Sequence, residues 1–171
     1  MDHKLAIDIR TKKLGILMRD ARLEAGESMK DCGEVLGISG RVISRYESGE
    51  DALSLPELEI LAYYLDVPLE QFWGEKARSE GDGPVELDQV KQRLDIRQRL
   101  IGARLRQVRE ELDLTMKEIA ETLDITQYRL RSYEMGEFPI PVPVLEAMLG
   151  IYDLQLEDFM GHGGVIGRWA Q

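Results

Sequence analysis

Residues 37–50 read GISGRVISRYESGE: a glycine tolerant of positive φ, an apolar plug, a hydroxyl able to cap a helix, and then a short segment carrying two arginines. A helix set on such a turn can enter a groove of DNA, where an arginine can donate twice to O6 and N7 of guanine. The chemistry would be recognition and not catalysis. One cysteine, Cys32, and two histidines 159 positions apart, His3 and His162, make no nucleophile or metal-ligand spacing, so neither an enzyme nor a cofactor is expected. GHGG at 161–164 has glycines but no preceding strand and no phosphate-loop lysine, and reads as a helix exit. Cys32 falls on the inward face of a helix and reads as a small core residue.

A net charge of −10 should repel phosphate, but it is unevenly spread. Residues 1–46 carry 9 basic and 7 acidic groups, and 91–109 carry 7 basic and 1 acidic. Residues 47–90 carry 2 basic against 12 acidic, and 110–171 carry 4 against 12. The basic segments offer Lys12, Lys13, Arg97, Arg99 and Arg104 to phosphate at short range, since charges beyond about 8 Å are largely screened at physiological salt. The acidic remainder weakens non-specific binding. The same basic stripe also reads as a solvated helix whose arginines sit in intramolecular pairs.

These segments belong to a repeat. Shifting the sequence by 87 positions aligns residues 8–74 with 95–161 without a gap, and 24 of the 67 positions are identical. Each copy has helical and no strand periodicity. Leu14, Leu17, Ala21 and Ala25 form the apolar stripe of a first helix, as do Ile101, Leu105, Val108 and Leu112 in the second copy. Ser28 and Thr115 are expected to cap a second helix, and Gly37-Ile38-Ser39 and Asp124-Ile125-Thr126 to make the turn into a third. Gly49 and Gly136 are expected to end that third helix, and Pro56 and Pro143 to open a fourth. A short fifth helix closes on Phe72 or Phe159. The charged, glycine-containing EKARSEGDGPVE at 75–86 reads as a linker. The expected organisation is a first domain at 1–74, this linker, a second domain at 87–161 and a tail at 162–171.

With its LGIS turn and its third helix ending in YE-x-G, each copy resembles the phage-repressor (Cro/C1, or XRE) type of helix-turn-helix domain. The resemblance implies an all-α fold of two repeated five-helix, lambda-repressor-like domains, and a bacterial or phage regulator that lays its third helix in the major groove. It implies that base edges are faced by Gly40, Arg41 and Arg45 in the first copy and by Gln127, Tyr128 and Ser132 in the second. It also implies that Arg22 pairs with Glu47, and Arg109 with Glu134, as residues that hold the fold. One departure stands at the start of the second helix, where the family's backbone-contacting glutamine is replaced by Met29 and Met116. There, phosphate contact is weakened, or the face meets a protein partner, or the methionines simply pack.

The expected partner is double-stranded DNA, bound by a sequence-specific transcriptional regulator with two reading heads. The alternative is a protein-binding adaptor, because IGARLRQVREE (101–111) and EMGEFPIP (134–141) resemble the helix-turn-helix domains of bacterial cell-shape proteins. No apolar run approaches the roughly 20 residues of a membrane span, and MDHKLAIDIRTKK lacks the features of a secretory signal, so a cytoplasmic location is expected. Whether two chains associate is left open by the residues.

Overall fold

The computed structural model describes residues 3–73 and 87–160, so the expected linker at 75–86 and tail at 162–171, with His162 and Trp169, lie outside the described residues. The fold is all-helical, with two helix-turn-helix domains in tandem. The first run comprises α1 (His3–Glu24), α2 (Met29–Leu36), α3 (Gly40–Ser48), α4 (Leu55–Tyr64) and a 3₁₀ turn, Leu69–Phe72. The second comprises α5 (Leu87–Glu111), α6 (Met116–Leu123), α7 (Gln127–Glu134), α8 (Val142–Ile151) and α9 (Leu156–Met160). The fifth element is therefore a 3₁₀ turn in one copy and a helix of five residues in the other.

Local chemistry sets these boundaries. Ser28 accepts from the Asp31 amide while Asp31 accepts from the Ser28 amide, and Thr115 and Glu118 make the same reciprocal cap on α6. Thr126 caps α7 through the Arg129 amide, whereas Ser39 makes no side-chain cap on α3. Left-handed backbone recurs with the 87-residue period at Gly26 and Asp113, Gly37 and Asp124, Gly49 and Gly136, and Asp66 and Asp153. Glycine takes that conformation freely, and aspartate is among the few side chains that tolerate it.

Leu14, Met18, Ala21, Cys32, Ile43, Leu58 and Leu61 fill the first core, and Ile101, Leu105, Ile119, Leu130, Leu145 and Met148 the second. Cys32 is fully buried, and burial pushes its thiol up to about 11. The expected stripes run one residue too far at their ends. Ala25 and Leu112 lie just past the last residues of α1 and α5, and both are exposed.

The copies pack on each other reciprocally. α1 lies against α8, and α5 against α4. Arg10 grips Glu146 with Nε 2.7 Å from Oε2 and Nη2 2.8 Å from Oε1, and its Nη2 also donates to the Phe72 carbonyl at 2.9 Å. Its repeat partner Arg97 donates to Glu59, the repeat partner of Glu146, at 3.0 and 3.3 Å. Ser54 forms an antiparallel bridge with Pro141, again 87 positions on, and the Val142 amide donates to the Leu53 carbonyl at 2.7 Å. Residues that pair with their own counterparts, or swap partners by the repeat, define a pseudo-twofold axis through the Ser54–Pro141 bridge.

Candidate nucleic-acid interface

The third helix of each copy is held from beneath by a buried ion pair. Arg22 donates from Nε to Oε1 of Glu47 at 2.5 Å and from Nη2 to Oε2 at 2.9 Å, with Nη1 on the Glu27 carbonyl at 2.9 Å. Arg109 repeats this on Glu134 at 2.6 and 2.9 Å, with Nη1 on the Leu114 carbonyl at 3.1 Å. Hydrogen bonding to the carboxylate raises both guanidiniums above the ordinary arginine range, so both arginines stay charged. The fork thus ties the end of α1 to the end of α3, and α5 to α7.

Two helix-interior glycines make room for that contact. A Cβ on Gly15 would stand 2.9 Å from the Glu47 carbonyl oxygen, and one on Gly102 would stand 2.8 Å from that of Glu134. No motif marks either glycine in the sequence; their signal is recurrence at the repeat distance in the middle of helices, where glycine costs about 1 kcal/mol against alanine. Arg10, Glu59 and Glu146 carry no motif either; their signal in the sequence is identity across the repeat, Arg10 with Arg97 and Glu59 with Glu146.

The predicted reading positions separate into three groups. Arg41, Gln127 and Tyr128 project into solvent, Tyr128 at 70% exposure. Arg45 is half-exposed, with Nη2 2.8 Å from Asp51 and Nε 3.7 Å from Glu50. Gly40 and Ser132 do not offer groups to a base edge. A Cβ on Gly40 would come within 3.1 Å of the Met29 carbonyl, so this residue is a spacer that lets α3 start against α2. Ser132 is 1% exposed and its hydroxyl has no hydrogen-bond partner, because a side chain of one carbon does not reach the surface that Arg45 reaches from the equivalent position.

The predicted phosphate contacts divide similarly. Lys12, Lys13 and Arg99 are exposed. The stem of Lys12 lies against Gly49, with Cγ 2.8 Å from where a Cβ would stand, and that of Arg99 lies against Gly136 at the same 2.8 Å. Both cations therefore flank the end of a third helix. Arg104 is exposed but sits elsewhere on α5, its guanidinium 5.5 Å from the centre of the Phe159 ring. Arg97 is withdrawn from any phosphate, since its side chain is 18% exposed and is spent on Glu59 across the copies. Met29 is 37% exposed, and Met116 is partly buried against the core.

From the end of the third helix onward the copies diverge. Ser48 and Asp51 in the first correspond to Met135 and Phe138 in the second, where Met135 is 49% and Phe138 40% exposed. Arg129 lies 5.1 Å over the Phe138 ring and 5.9 Å over that of Tyr133.

A family profile described as Helix-turn-helix matches residues 18–72, and one described as Helix-turn-helix domain matches 102–160, so the two together take in about two thirds of the chain. No curated protein and no solved structure matches the chain significantly. Among the described residues no helix is long and apolar enough to cross a membrane. The matched segments lie within the two helical runs, beginning inside α1 and α5, and the chain is a tandem helix-turn-helix protein of the Cro/C1 (XRE) type.

Proposed function

We propose that the chain is a sequence-specific DNA-binding transcriptional regulator whose two third helices read two unlike half-sites on one duplex. The observation that carries this reading is the pseudo-twofold packing, in which Arg10–Glu146 and Arg97–Glu59 exchange partners by the repeat. That symmetry is what a dimeric repressor uses to match a duplex. Ser48, the last residue of α3, is six residues from Ser54, so the end of α3 lies within about 20 Å of the axis. α7 ends at Glu134, seven residues from Pro141, and so lies within about 25 Å of the axis. Two helices so placed are compatible with major-groove entries about 34 Å apart.

The halves would differ. Arg41 and Arg45 favour guanine, whereas Gln127 suits adenine, with Tyr128 beside it. Lys12 and Arg99 supply phosphate contacts at the two ends. Selection from random duplexes at two salt concentrations tests this. The expected result is a motif with two dissimilar halves and affinity that falls steeply with salt. A perfect palindrome together with a solution dimer would instead mean that one copy reads DNA and the other joins chains.

A second reading, a protein-binding adaptor, is favoured by one observation: Tyr128, Met135 and Phe138 put apolar surface where the first copy has Arg41, Ser48 and Asp51. Absence of any enriched sequence in the selection would favour it.

A further inference from the structure

We propose that Asp51 is a positioning residue that sets the guanidinium of Arg45 and thereby fixes the base preference of the first reading helix. This rests on the DNA-reading function proposed above. Gly49, in left-handed backbone, turns the chain back at the end of α3, and the amides of Glu50 and Asp51 both donate to the Arg45 carbonyl, at 3.0 and 3.3 Å. The turn thus brings two carboxylates to the one side chain whose backbone holds it.

Both acids lie against the guanidinium. Nη2 is 2.8 Å from Asp51 Oδ2, and Nε is 3.7 Å from Glu50 Oε2. The contact with Asp51 is an ion pair without an in-line hydrogen bond, so it holds the guanidinium by charge and leaves its N–H groups to donate in pairs. Two parallel donors of that kind match O6 and N7 of guanine. A long, rotamer-rich arginine held in this way meets the base already oriented, and less of its freedom is lost on binding. Asp51 also places negative charge beside the duplex, which lowers affinity for every sequence while sharpening the choice among them.

The second copy lacks the device. Arg45, Glu50 and Asp51 correspond to Ser132, Glu137 and Phe138, so discrimination by a held arginine belongs to one head only. The test is selection from random duplexes by the full-length chain and its Arg45→Ala, Asp51→Asn and Asp51→Glu variants, with thermal melts of each. Asp51→Asn is expected to weaken preference at the same base pair that Arg45→Ala flattens, by about three- to fivefold, the scale of an exposed ion pair. It should also bind arbitrary DNA more tightly, while Asp51→Glu keeps the preference and all melts agree. A preference intact in Asp51→Asn but lost in Arg45→Ala overturns the positioning role and leaves the DNA-reading function standing. No motif from the wild-type chain removes that function, and this proposal with it.

Discussion

Replacing Arg109 with alanine removes the fork that ties α5 to α7. Three hydrogen bonds go: two to Glu134 and one to the Leu114 carbonyl. Glu134 is 4% exposed, so its carboxylate is left charged, buried and unpaired. Breaking a buried pair from one side in this way costs about 3 to 5 kcal/mol, because the desolvation of the remaining charge is no longer offset. For a chain of this length, each kcal/mol moves the thermal midpoint by about 2 to 4 °C, which places the expected fall at about 6 °C or more. The assay is thermal and urea unfolding of Arg109→Ala beside Arg106→Ala, whose exposed pair with Glu110 should leave the midpoint where it is. Adding Glu134→Gln to Arg109→Ala should recover part of the loss, since the orphan charge is then gone. An unchanged midpoint in Arg109→Ala, or a double variant no more stable than the single one, would refute the structural role of the pair.

Arg10→Ala should cost about 1 to 3 kcal/mol and loosen the copies from each other, read as faster limited proteolysis of the full chain; wild-type cleavage kinetics would count against the reciprocal interface. Gly102→Ala should destabilise by about 1 to 3 kcal/mol despite alanine's better helix propensity, because the new Cβ meets the Glu134 carbonyl and backbone must shift; urea unfolding that shows a gain would contradict the close approach. Native Cys32 should resist alkylation at pH 8 and react only on unfolding. Since burial raises the folded thiol to about 11, the stability it contributes is complete below about pH 8.5 and lost as the pH rises toward 11, which urea titrations across that range would reveal.

Much of each copy was legible in the residues alone. Ser28, Thr115, Gly37, Gly49 and Gly136 act over three or four neighbours, so capping and left-handed turns follow from local chemistry wherever the chain ends up. Their recurrence after 87 positions then made the two-domain organisation readable. The Arg–Glu ties beneath α3 and α7 were reached through family resemblance, and the structure forms both. Exposure was a different matter. Ser132 and Arg45 hold equivalent positions, yet one is covered and the other projects, because side-chain length and the packing around it decide what meets solvent. Arg97 looked like a cation available to phosphate, and its role changed once α4 of the other copy brought Glu59 to it. Arg10 and Glu146 are 136 positions apart, a separation at which no helix periodicity or cap carries information. The sequence by itself determined the order of the helices, most of their caps and the duplication, whose causes lie within a turn or in the repeat itself. Only the tertiary structure decided which charges are spent between the copies and which remain for a partner, because burial and ion pairing depend on surfaces that meet only when both copies have folded.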